Sequence, residues 1–189
     1  MSQAKTLTPQ EIKQVLGAIA LRKHAARDRA MFLLTCWAGL RVGEVAALRY
    51  CDVIGPNGRA LQEIRLLPEQ RKGKWPRTVF INERLQRELT NYAAQRANAN
   101  PSDPFFYTQK SRAGWNRNTL AQHFYWLYKA AGVAGASSHS GRRTFCTNLA
   151  AKGISIRVLQ SLAGHRSVQT TARYIDVNDE MKRRAVELA

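Results

Sequence analysis

Hydrophobic and polar positions in this chain follow, for most of its length, the three-to-four-residue rhythm of amphipathic helices, broken once by a short region of β-type pattern. Thr8-Pro9-Gln10-Glu11 reads as a capping box with proline at the first helical position, so a helix is expected from about Pro9 to Ala20. A second should run from about Ala25 to Ala38 and stop at Gly39, and a third, short one from Val42 to Leu48. Pro56-Asn57-Gly58 is a turn signal, and the runs Leu61 to Leu67 and Thr78 to Ile81 predict two strands flanking the basic segment RKGKWPR at 71–77. The helical rhythm returns from Glu83 to about Arg96, then over about Asn118 to Ala131, Ser140 to Lys152, Ser155 to Ala163 and Ser167 to Ile175, with a last helix from about Asn178. The pattern predicts a mainly α fold with one small antiparallel β-sheet, an α+β class.

Two of these stretches set polar side chains against the rhythm. In Ser140 to Lys152 the apolar face is Phe145, Cys146 and Leu149; Arg142 falls in its middle, whereas Arg143 points away with Thr147. Arginine rarely faces a core, and the nearest acidic residues in sequence are Asp103 and Asp176, so no local partner is at hand. Arg142 and His139 both lie near the start of this helix, where an anion is favoured. In GHRSVQTTARYI, residues 164 to 175, Ser167 is an N-cap and Val168, Ala172 and Ile175 recur as a buried stripe. Tyr174 is roughly 100° off that stripe, at the edge of a surface. His165 is fixed in the short turn between Gly164 and Ser167.

Charge sharpens the picture. The 189 residues include 30 Lys and Arg against 13 Asp and Glu, a formal +17 spread along the whole length, which points to a polyanionic partner. At this length, with 44% hydrophobic residues and no linker or repeat, one domain is expected. The longest apolar run, Met31 to Leu40, is too short to span a bilayer, and Met1 to Gln10 is too polar for a secretory signal. Three cysteines without C-x-x-C spacing suit a reducing compartment. His139, His165 and Cys146 lack metal-ligand spacing, and no metal site is expected. Arg41, between MFLLTCWAGL and VGEVAAL, has core neighbours and an i,i+3 carboxylate in Glu44 that can aim its guanidinium fork at a phosphate.

Arg41 in GLRVGE, Lys72 in RKGKWPR, His139 and Arg142 in H-x-x-R, His165 in LAGHRS and Tyr174 in TTARYI together resemble the catalytic set of the tyrosine recombinase, or phage integrase, family in order, spacing and context. The resemblance covers nearly the whole chain and implies that family's mainly helical catalytic domain. It implies that Tyr174 attacks a DNA phosphodiester to give a 3′-phosphotyrosyl link and a free 5′-hydroxyl, without metal, ATP or other cofactor. Arg41, Arg142 and His165 would stabilise the phosphorane, with Glu44 in support. His139 would position the nucleophile or take its proton, and Lys72 would protonate the leaving oxygen. Lys72 rather than Lys74 fits that role because the motif's lysine lies five residues before an arginine, here Arg77. Arg71, Lys74, Arg77, Arg143, Arg166 and Arg173 are candidate DNA contacts.

Gly141 stands where the family more often has a larger apolar residue. The first motif begins by residue 39, so the expectation is a single catalytic domain over 1–189 without a separate N-terminal core-binding domain, similar in size to the fimbrial phase-variation recombinases. The expected partner is a double-stranded DNA recombination site, bound by a homo-tetramer joined through the last helix, with room for an accessory DNA-binding protein. The expected location is cytoplasmic and nucleoid-associated, away from membranes. Two other readings stay open: a non-catalytic regulator, since Ser155 to Ile175 would pass as a helix-turn-helix, and a type IB topoisomerase-like nicking-closing enzyme.

Overall fold

The computed structural model describes residues 3–70, 76–96, 98–109, 111–174 and 179–187. Among them are helices α1 (Pro9–Ala20), α2 (Ala25–Trp37), α3 (Val42–Ala46) and α4 (Tyr50–Val53), strand β1 (Glu63–Leu66), a 3₁₀ turn (Pro68–Gln70) and strand β2 (Arg77–Phe80). Helices α5 (Glu83–Ala93), α6 (Arg117–Ala130), α7 (Ser140–Ala151), α8 (Ile156–Ala163), α9 (Val168–Ala172) and α10 (Asp179–Val186) follow. The expected class, mainly helical with one small antiparallel sheet, is the one observed.

The first helix starts as its sequence requires: the Thr8 hydroxyl accepts from the Glu11 amide at 3.2 Å while the Glu11 carboxylate accepts from the Thr8 amide at 2.9 Å. Helix α2 is the axis of the domain. It is buried continuously from Ala30 to Cys36 and packs against α1, α5 and α7, which explains why its apolar residues surround it instead of forming a stripe. At its entry Asp28 is almost fully buried and holds three basic groups, Arg22 Nε at 2.9 Å, Arg27 Nη2 at 2.8 Å and His123 Nε2 at 3.1 Å. Burial alone would raise the Asp28 pKa, but His123 and Arg27 outweigh it and hold the carboxyl down to about 2. At its exit Gly39 turns the chain with φ +65°, and a Cβ there would stand 2.5 Å from the Phe145 ring.

Strands β1 and β2 pair antiparallel with Ile64 opposite Val79 and Leu66 opposite Arg77. Ile64, Leu66 and Val79 point inward, so the period of two carries Arg77 inward as well and leaves Phe80 outside. Before the sheet's basic connection, Gln70 is buried, donating to the Ala47 carbonyl at 3.1 Å and to Asp52 at 2.5 Å while accepting from the Leu67 amide at 2.8 Å. Gln70 and Arg77 are both buried, and the segment 71–75 between them lies outside the described residues.

Some element limits differ from the sequence expectation. Helix α3 ends at Ala46 rather than Leu48, and the Leu48 carbonyl accepts from the Phe105 amide at 2.7 Å. The four-residue α4, capped by the Asp52 carboxylate on the Arg49 amide at 2.8 Å, was not anticipated. Helix α5 stops at Ala93, short of Arg96.

Helix α7 lies close on α2 because Gly141 faces Thr35. A Cβ at Gly141 would stand 2.0 Å from Thr35 Oγ1 and 3.1 Å from Cys36 Sγ, so those two side chains fill the room that a larger residue in the H-x-x-R box would need. Gly141→Ala should therefore destabilise the fold by about 1–3 kcal/mol through overpacking, and Thr35→Ala in the same chain should restore part of the loss. Thermal unfolding of the two variants checks this; an unchanged melting temperature for Gly141→Ala would mean that α7 separates from α2 freely.

Candidate active site

One cleft of about 1170 Å³ opens where the start of α3, strand β2, the first turns of α6 and α7 and the α8–α9 turn converge. Its floor is an ion-pair group. Glu44 is 3% exposed and binds Arg41 Nη1 at 2.9 Å, the Arg41 amide at 2.9 Å and Arg77 Nη1 at 3.1 Å. Burial would raise the Glu44 pKa, but Arg77 and Arg41 outweigh it, and the group stays ionised. With its carboxylate clamped from both sides, Glu44 aims the half-buried Arg41 into the cleft.

Arg142 lies beneath the same cleft at 2% exposure. Its Nη1 donates to the Gly39 carbonyl at 2.6 Å and its Nη2 to the Ala163 carbonyl, so it ties the exit of α2 to the end of α8. The core-facing arginine of the sequence pattern is thus held by backbone carbonyls. Burial, and then the charges of Arg41 and Arg77, lower its pKa to about 10, so it remains a cation at neutral pH. Three guanidinium groups converging with one carboxylate leave a net positive charge facing the cleft.

His165 is fixed by the turn it occupies. Gly164 takes the left-handed conformation at φ 60° that ends α8. The His165 amide donates to the Gln160 carbonyl at 3.0 Å, and Gln160 Nε2 returns a bond to the His165 carbonyl at 3.2 Å. Its Nδ1 is 3.0 Å from Thr171 Oγ1, which leaves Nε2 for the cleft. Burial, and then Arg142, Arg41 and Arg77, push its pKa down to about 3, so the imidazole is neutral at physiological pH.

That shift has a measurable sign. Between pH 6.5 and about 3 the unfolded chain carries a proton on this histidine that the native chain lacks, so native stability falls as the pH falls through that window. The slope approaches roughly 1.4 kcal/mol per pH unit. In His165→Asn the urea midpoint should depend less steeply on pH between 6.5 and 4.5 than in the parent chain. The Asp28 contribution is lost only as the pH falls from 3.8 towards 2, below the range compared. Identical pH profiles would show that His165 is protonated in the native state.

Tyr174 follows α9 and is half-buried, with its ring stacked on His165 at 5.2 Å between centroids and 12° between planes. Its backbone carbonyl accepts from Thr147 Oγ1 at 3.0 Å, and Arg143 lies over the ring at 5.7 Å. The phenol is therefore docked on α7 and presented beside the imidazole. His139, expected beside Arg142, is at the N-cap of α7, exposed at the cleft wall; partial withdrawal of its ring from water, and then the charges of Arg142, Arg117 and Arg41, lower its pKa.

Several sequence expectations need correction. Arg143 does not point into solvent: it is 7% exposed and donates to Thr6 Oγ1 at 3.0 Å and to the Arg173 carbonyl at 3.3 Å, because the Arg173–Tyr174 segment folds back on that face of α7. Arg77, a candidate DNA contact, is buried as a partner of Glu44 and lines the cleft, since β2 begins at Arg77 and the strand's alternation turns it inward. In α9 the buried position is Thr171; Val168 is half-buried and Ala172 exposed, because the five-residue helix packs on His165 through the Thr171 hydroxyl. Arg166 and Arg173 are exposed as expected, and Arg166 lines the cleft. Arg71, Lys72, Lys74 and Ile175 fall outside the described residues.

Sequence reasoning passed over Arg117 and Phe80. Arg117 opens α6, lines the cleft and lies across Gly43, where a Cβ would meet its Cγ and Cδ at 3.3 Å. Its signal was present: a cation in the first turn of a helix with no acidic residue there opposes the helix dipole. Phe80, 58% exposed, forms part of the cleft lip, and nothing in its strand pattern marks it.

This fold and site define a class. The chain belongs to the phage integrase family, which matches residues 5–181. It is 31% identical over 190 residues to tyrosine recombinase XerA of Pyrococcus furiosus, covering 98% of this chain and 62% of that protein. Tyrosine recombinase XerA of Thermococcus kodakarensis is 30% identical over 190 residues, with 100% of this chain and 64% of that protein covered. The present chain thus spans a little under two thirds of the length of these relatives. The crystal structure of XerA recombinase superposes with a TM-score of 0.78 at 27% identity, over 99% of this chain and 66% of that one. The Tn1549 transposon integrase, solved in complex with circular intermediate DNA, shares the fold at a TM-score of 0.75 and 21% identity, over 98% of this chain and 66% of that one.

Proposed function

We propose that this chain is the catalytic part of a site-specific DNA recombinase that cuts and rejoins strands through a phosphotyrosine. The observation that carries the reading is the stack of Tyr174 on His165, a residue that lines the cleft together with Arg41, while the buried Arg142 ties the exit of α2 to the end of α8 close by. In the forward step the Tyr174 hydroxyl gives up its proton, with His139 as the acceptor or positioner, and its oxygen forms a bond to phosphorus. The bond from phosphorus to the 5′-oxygen breaks, and that oxygen takes a proton from Lys72. Charge growing on the non-bridging oxygens meets Arg41, the N–H groups of Arg142 not taken by the two carbonyls, and neutral His165 as a donor through Nε2. Attack by the 5′-hydroxyl of another strand reverses the step and conserves the bond energy in the phosphotyrosine.

Assembly belongs to the same proposal: α10 exposes Val186 at 73%, and we read it as the contact between copies on a DNA duplex. The regulator reading is disfavoured by α9, whose five residues make a poor recognition helix and whose Thr171 is turned inward to His165.

The test is covalent trapping. A nicked duplex carrying the recombination site, from which the short 5′-hydroxyl strand diffuses away after cleavage, should leave a protein–DNA adduct that survives boiling in detergent. Binding without any adduct would return the chain to the regulator reading. Relaxation of supercoiled DNA lacking a defined site would favour the topoisomerase-like one.

A further inference from the structure

The start of α2 borders a second cavity, of about 670 Å³, one helix length from the catalytic cleft, since the 13 residues of α2 span about 20 Å and its far end delivers Gly39 to Arg142. Lys23, Arg27, Arg96 and Arg112 line it together with Tyr107, and no carboxylate among the described residues does. Two acidic groups lie behind it and both are committed: Asp28 to Arg22, Arg27 and His123, and Asp103 to the Tyr107 hydroxyl at 2.9 Å. Arg96 brings its charge without a carboxylate among the described residues. Its Nη1 donates to the Pro104 and Phe105 carbonyls, and its guanidinium lies 3.9 Å from the Tyr107 ring centre. Lys23 and Arg112 are exposed and form no ion pair among the described residues. The first turn of α2 adds to this field, since His24 at its N-cap makes no side-chain capping bond. His24 itself registers the field: burial, and then Arg27, lower its pKa.

We propose that this cavity is a second binding site, taking a phosphate group between Lys23, Arg112 and the start of α2. The cations converge on a concave surface rather than a flat one, the volume is that of small-ligand sites, and Tyr107 offers an aromatic wall beside the charge. The phosphate comes either from a free phosphorylated small molecule or from the backbone of DNA that extends past the catalytic cleft. The inference stands apart from the recombinase reading, because it uses none of the cleft residues.

Trp115 supplies a reporter, since its indole N–H donates to the Tyr107 carbonyl at 2.9 Å and Arg27 lies over its ring at 5.3 Å. The indole N–H resonance of Trp115, assigned by its loss in Trp115→Phe, is followed while the full chain is titrated with inorganic phosphate, adenosine monophosphate or chloride at equal ionic strength. Phosphate and adenosine monophosphate should shift it saturably and chloride should not. The double variant Lys23→Glu, Arg112→Glu should keep its melting temperature and bind both at least tenfold more weakly. A parallel titration with a short duplex at several salt concentrations distinguishes the sources. If DNA is the source, the double variant lowers the slope of log affinity against log salt by about 1.8, the value for two phosphate contacts; if the ligand is free, the slope is unchanged. A phosphate response no different from chloride, or one undiminished in the double variant, overturns the proposal whatever the slope does.

Discussion

Tyr174→Phe should retain full affinity for duplex DNA and leave no covalent adduct on a nicked substrate. The substitution removes one hydroxyl and little else. The ring stack on His165, the Arg143 guanidinium above the ring and the bond from Thr147 to the backbone carbonyl do not involve the phenolic oxygen. The docked segment therefore keeps its place on α7, and the variant differs from its parent by the nucleophile alone. Gel-shift and denaturing-gel assays on the same samples separate the two quantities. An adduct of undiminished yield would assign the nucleophile to another residue.

Arg142→Ala should fail in two measurable ways at once. Removing a donor aimed at the developing charge typically lowers the rate by about 10²–10³, roughly 2.7–4 kcal/mol of barrier. It also leaves the Gly39 and Ala163 carbonyls without the donor that joins them, at a cost of about 1–3 kcal/mol for each that stays unsatisfied. Single-turnover cleavage should fall at least a hundredfold, and the melting temperature should drop. Arg142→Lys separates the two effects: a lysine keeps the charge but lacks the fork that spans two carbonyls. Its melting temperature should lie between parent and alanine variant while cleavage stays near the alanine level. Cleavage within tenfold of the parent in the lysine variant would reduce Arg142 to a point charge.

The sequence disclosed most of the helices because their signals are local. The Thr8 capping box, the apolar run before Gly39 and the Ser155 and Ser167 caps each sit within one turn of the boundary they set. It disclosed Arg41, His139 and His165 in the cleft, and Arg142 near them, because their types are chemically unusual for their positions, as with Arg142 on an apolar face. What it hid depends on the partner a residue meets after folding. Arg77 looked like a turn residue because the expected strand began at Thr78; placing the strand start one residue earlier puts Arg77 on the inward face with Val79. Arg143 looked solvated because the helical wheel of α7 does not reveal that the Arg173–Tyr174 segment returns to cover that face. Thr171 is buried for a polar bond to His165, and hydrophobic periodicity does not register such a bond.

The contact between Gly141 and Thr35 also limits the order in which this lineage could change. A chain that keeps Thr35 accepts a side chain at position 141 only at a cost, since even a methyl group there would stand 2.0 Å from the threonine oxygen. Substitution at position 141 becomes less costly once position 35 has shrunk or the α2–α7 spacing has widened. Conversely, a threonine at position 35 enters at least cost when position 141 is glycine. The two positions behave as a ratchet: once both are set, each makes the other costly to revert, and homologues should exchange them as a pair.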